Sequence, residues 1–343
     1  MDQPPFWPTQ ETFRSRTVDG NPEPSRRYIA GMLLEIGSWQ SGHPVSQRHI
    51  TKLFRAREFI AFSALSARLL FRSFDYCNLD TYALTVQQFG SGSPGTFSFA
   101  TRRRDGGTQH LWSAKEFTFL KPLHVDFKAK AKIDSDLLRA LVKADRAGRL
   151  SYEAIVEFNR ANTDSTDVPS HTEVVLTKSA FEFFFSIGNK RDEFVHSLLS
   201  AIPKPIHSPS GPLLKKWETK YPRARRPIEA WAREFCDLRG SAAHGKNRGG
   251  KRFIWSEHAH LAFASMLFPL QVKGRLVSDG FMKTAERDSL NLEFCESYLM
   301  HNPFVRTKKM SGNREHPWSK IFSENVLGEV MRRQLVKIIR ESK

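Results

Sequence analysis

Along residues 123–133, LHVDFKAKAKI, apolar and polar positions alternate without a break. Leu123, Val125, Phe127, Ala129, Ala131 and Ile133 point one way; His124, Asp126, Lys128, Lys130 and Lys132 point the other. Strict alternation predicts a strand in a sheet with one wet, largely basic face. Shorter strand signals come earlier: RYIAGMLLEIGSW (27–39), then TYALTVQQF, TFSFATRRR and QHLWSA, joined through GSGSPG and RDGGT as successive hairpins. Between them, SQRHITKLFRAREFIAFSALSARLLFRSF sets Ile50, Leu53, Phe54, Ile60, Phe62, Leu65, Leu69 and Leu70 near helical spacing, with arginines on the other face.

Near Asp134 the period changes from two to that of a helix. Leu137, Leu138, Leu141 and Val142 form an apolar stripe that Gly148 can end, and Ser151 is placed to cap the next helix. PSHTEVVLTKSAFEFFFSIG reads as a buried helix, and RDEFVHSLLSAI follows. RPIEAWAREFCDLRG carries Pro227 near its start and Ile228, Trp231, Phe235 and Leu238 on one stripe. Three more helical stretches, beginning at Ser256, Ala285 and Ser323, complete the chain. The expected class is α+β: a strand-rich mixed N-terminal domain and then an all-helical bundle. The expected divisions are a flexible lead-in at 1–25, the mixed domain at 26–134, the helical domain at 135–303, and a basic loop with a C-terminal helix at 304–343.

Composition narrows the partners. Hydrophobic residues make up 40% of the 343, enough for real cores, and 27 phenylalanines supply bulky apolar filler. The formal net charge of +17 favours a polyanion. No run is long and apolar enough for a membrane helix, and MDQPPFWPTQETF lacks the apolar centre of a secretory signal. The expectation is therefore a cytoplasmic protein with no membrane partner. Cys77, Cys236 and Cys295 are odd in number and far apart, which fits a reducing compartment and excludes a zinc pattern.

Most motif matches fall away on context. GSGSPG fits the letters of a dinucleotide loop, but a strand signal, not a helix, follows it. No nucleophile elbow, P-loop or HExxH occurs. His258 and His260 are two apart, which on a helix sends them to different faces, so no metal and no cofactor are expected.

EFCDLRGSAAHGKNRGGKR, residues 234–252, is different. Arg239 is followed five residues later by His244, with small Gly240, Ser241, Ala242 and Ala243 between them. Lys246, Asn247, Arg248, Lys251 and Arg252 come next, in a glycine-rich run suited to tracking a phosphate backbone. On a continuous helix Arg239 and His244 would lie about 140° apart. Either Gly240 ends or bends the helix, or two chains bring their motifs together. Glu182, a charge in an apolar helix, is a candidate orienter of the pair; its plainer reading is a surface or capping carboxylate.

FCDLRGSAAHGK resembles the R-x4-6-H signature of HEPN domains, all-helical bundles of which many are metal-independent ribonucleases. AIVEFNRANTDS and VVLTKSAFEFFF upstream are similar to the Apea-like branch, associated with bacterial antiviral defence, and the resemblance spans about 135–303. It implies an RNA endonuclease, in defence or a toxin-like system, working as a homodimer with a composite site. Arg239 and His244 would be catalytic. A phage-derived or antitoxin partner is left unidentified. Gly240 stands where such nucleases usually carry a polar residue, often Asn, and that feature favours the alternative of a module that holds RNA or a nucleotide without cutting it.

The chemistry suits the residue types. RNA supplies its own nucleophile, the 2′-hydroxyl. Histidine can move the proton near neutral pH, and arginine offers a permanent planar charge to the phosphate.

Overall fold

The computed structural model describes residues 47–68, 77–82, 88–89, 97–102, 108–113, 132–205, 210–243, 253–301, 326 and 328–341. These fall into two compact units. The smaller contains a three-stranded antiparallel ladder: β1 (Gln88–Phe89), β2 (Phe97–Arg102) and β3 (Thr108–Ser113). Phe97 pairs with both Phe89 and Ser113, so β2 is central.

The expected α+β class, with a strand-rich N-terminal half, is overturned. Outside those three short strands the described residues are about 74% helical, and the body of the molecule is all-helical. RYIAGMLLEIGSW and 123–131 of the alternating run lie outside the described residues. The end of that run, Lys132 and Ile133, has no regular structure, and Ile133 is 40% exposed. Alternation in sequence becomes a strand only where a partner strand and an apolar layer receive it, and Ile133 meets neither burial nor a ladder.

The helical unit is built from the second half of α1 (Gln47–Ala67), a 3-10 turn at Leu79–Tyr82, and helices from Ser135 onward. These are α2 (Ser135–Arg146), α3 (Tyr152–Ala161), α4 (Ser170–Phe185), α5 (Arg191–Ala201), α6 (Leu214–Lys220), α7 (Pro227–Ala243), α8 (Glu257–Ser278), α9 (Glu286–Glu293), α10 (Cys295–Leu299) and α11 (Gly328–Glu341). Asp134 caps α2, its carboxylate accepting from Leu137 N at 3.0 Å, and Gly148, at φ +65°, closes it.

Aromatic side chains knit the core. Phe158 of α3 stacks on Phe268 of α8 at 4.7 Å between centroids, and Phe62 and Phe181 meet Phe268 edge-on. Trp231 and Phe235, one turn apart on α7, stack at 5.0 Å, and Phe263 of α8 closes on Trp231 at 4.8 Å. α4 is less buried than its composition suggests: Phe183 is 47% exposed. None of the helices among the described residues is long and apolar enough to cross a membrane.

Candidate functional site

α7 begins with Pro227 at its first position, where a missing N–H costs nothing, and Arg226 O accepts from Glu229 N and Ala230 N. Ile228, Trp231, Phe235 and Leu238 are buried on its core face. Gly240 neither ends nor bends it, because the helix continues to Ala243. The expectation of a break there is corrected: Gly240 sits among hydrogen-bonded helical neighbours, and its permissive backbone is not used. His244 is the first residue beyond the helix and lies outside the described residues, as do Lys246, Asn247, Arg248, Lys251 and Arg252.

Near its C-terminal end α7 presents Cys236, Asp237, Arg239 and Gly240 to a pocket of about 250 Å³. Lys178 and Glu182 of α4, with Asn189 and Arg191 at the start of α5, line the other walls. The structure thus brings Glu182 and Arg239 to one cavity, though they are far apart in sequence. α4 ends directly after Glu182. Ser186 takes the left-handed conformation at φ 55°, and Ile187 N donates back to Glu182 O at 3.0 Å.

The charges in this pocket are unequally matched. Lys178, 1% exposed, donates to Glu182 Oε1 at 2.8 Å and lies 4.1 Å from the centroid of the Phe194 ring. Arg191 reaches Asp237 Oδ1 at 3.2 Å. Arg239 has no carboxylate partner among the described residues, and its buried Nε makes no hydrogen bond. A buried donor left open in a cavity is a place for an acceptor to bind. Cys236 is not a nucleophile: burial pushes its thiol up to about 11, against a smaller opposing pull from Lys178.

A second cluster on α7 escaped sequence reasoning. Glu234 is fully buried. Its carboxylate accepts from Ile254 N at 2.8 Å, Trp255 N at 2.9 Å, Lys220 Nζ at 2.8 Å and Tyr221 Oη at 3.2 Å. His260 Nε2 lies 3.3 Å away. Burial works against the carboxylate charge, but the hydrogen bonds from His260, Ile254 and Lys220 outweigh it and hold the group below its usual range. For His260 burial dominates and lowers its pKa, so the imidazole is neutral. His260 is a core histidine packed against Trp231, Phe235 and Trp255. Glu234 therefore ties residues 253–255, the far end of the basic segment, to the helix that carries Arg239.

The one legible hint of the pocket's other members was the four-residue spacing of Lys178 and Glu182. Arg191 and Asp237 left no signal, since they meet across two helices. Among the described residues no group of His, Cys, Asp or Glu is arranged to hold a metal ion. Compared with profiles of known families, the chain matches none. No curated protein and no solved structure matches it either.

Proposed function

We propose that this chain is a metal-independent RNA endonuclease of the HEPN-like kind, with Arg239 and His244 as its catalytic groups. The observation that carries the reading is the state of Arg239: of the three cations lining its pocket it alone lacks a carboxylate partner, with a buried donor unused. A phosphate oxygen satisfies such a donor, and guanidinium is suited to it. Glu182, held by Lys178, borders the same cavity and would orient the arginine. The basic residues 246–252 would track the RNA backbone.

The continuity of α7 through Gly240 favours the composite arrangement. A helix extended to His244 would direct it about 140° from Arg239, so the two motifs of a homodimer would complete each other. The resemblance supplies the setting: bacterial antiviral defence or a toxin-like system in the cytoplasm, with RNA as the partner. Gly240 supports one other reading, a module that binds RNA or a nucleotide without cutting.

Incubation of the purified chain with RNA in EDTA decides between them. The expected products carry a 2′,3′-cyclic phosphate and a 5′-hydroxyl, because the 2′-oxygen attacks and the 5′-oxygen leaves, and DNA of the same sequence survives. Retention of intact RNA gives the binding module. Neither binding nor cleavage removes both.

A further inference from the structure

α11 carries the largest exposed apolar stripe among the described residues. Met331 is 70% exposed, Leu335 59% and Ile338 61%, with Ile339 beside them at 47%. The spacing of four and then three places Met331, Leu335 and Ile338 within an arc of about 60°. The opposite side of the first turn is what meets the body of the protein. There Val330 packs against Leu290, Phe294 and Val326, and Arg333 reaches Glu293 at 3.2 Å. The stripe therefore faces away from α9.

We infer that this stripe pairs α11 with α11 of a second copy of the chain. Three observations select that occupant. A seam at i, i+4 and i+7 is the pattern by which one helix receives another. Arg333, Lys337 and Arg340 project from the other half of the helix, so the positive charge is turned away from a partner lying on the seam. Glu329 also engages both Arg332 and Arg333, at 2.5 and 2.9 Å, which weakens the attraction of this helix for an anionic surface. The area is of the required order: each stripe exposes roughly 500 Å² of apolar side chain, and two together reach the roughly 1,000 Å² of a specific interface. The pairing stands on these features alone. Its role, holding two Arg239–His244 motifs in one assembly, rests on the ribonuclease reading.

Sedimentation velocity on the full chain tests it. The wild type sediments as a dimer at micromolar concentration. Leu335→Glu with Ile338→Glu sediments as a monomer, at least tenfold weaker in self-association, with an unchanged melting temperature because both positions are exposed. As a second probe, Leu335→Cys under mild oxidation gives a covalent dimer on a non-reducing gel. A monomeric wild type, a dimer that survives the double substitution, or a monomer that instead binds anionic phospholipid vesicles through these residues overturns the inference. RNA cleavage measured on the same samples separates the two readings. A dimer that loses with its pairing the ability to cut supports both, whereas a dimer that never cuts removes only the ribonuclease.

Discussion

Gly240 is the residue on which catalysis and mere binding divide. It lies inside α7, and a Cβ added there meets nothing within 4 Å. Gly240→Asn therefore fits without displacing a neighbour, and it gains about 0.3–0.5 kcal/mol of helix propensity. If the polar residue usual after the arginine is what the site lacks, Gly240→Asn raises the RNA cleavage rate by about tenfold, the value of one added hydrogen bond to the transition state. An unchanged rate with a raised melting temperature would show that Gly240 affects only the helix. Glu234 marks the opposite case, a residue that carries stability. Glu234→Gln presents an amide to donors that now meet a carboxylate, and the loss is expected to be about 3–5 kcal/mol, as for a broken buried ion pair. Urea unfolding measures it, and a loss below about 1 kcal/mol would contradict the buried network. The sequence could not reveal this hub. Its donors, Lys220, Tyr221, Ile254, Trp255 and His260, come from three separate stretches of chain.

Among the elements, the helices were legible because long amphipathic runs repeat at their own period. Leu137, Ala140, Leu141 and Ala144 of α2 are all buried. α6 was not, because its seven residues span too few turns to show a period, and Trp217 is its one buried residue. The α+β reading failed where alternation was taken as sufficient for a sheet. Contacts between elements also give a pH dependence. Asp134 both caps α2 and pairs with Lys273 Nζ at 2.8 Å, and Lys273 reaches Asp288 of α9 at 3.0 Å. Burial opposes the Asp134 charge, but the Lys273 and Leu137 hydrogen bonds prevail and lower its pKa. The folded-state pKa is thus below the unfolded one. This contribution is present at neutral pH and is lost as pH falls through and below the carboxylate range, near 4. Asp134→Asn keeps a capping side chain and removes the charge. Its deficit in urea midpoint relative to wild type should shrink steadily between pH 6 and about pH 3; a deficit constant across that range would show that the ion pair contributes nothing.

For the whole molecule, a net charge of +17 sets the partner class, and the helical unit sets where the partner would be cut. The candidate pair was legible as a spacing, and its geometry was not: the continuity of α7 through Gly240 and the meeting of α4 with α7 around Arg239 emerge only on folding. The central claim is that Arg239 and His244 carry chemistry rather than stability. Loss of a proton-transfer group costs about 10²–10⁴ in rate, while an exposed cation at a helix end contributes about 0.3–1 kcal/mol to stability. The most direct measurement is the RNA cleavage rate in EDTA for wild type, Arg239→Ala, His244→Ala and the double variant, with melting temperatures taken in parallel. The prediction is loss of cleavage in each, melting temperatures within a few degrees of wild type, and a double variant little worse than either single one. Wild-type cleavage by a folded His244→Ala protein, or rate and melting temperature falling together, would contradict it.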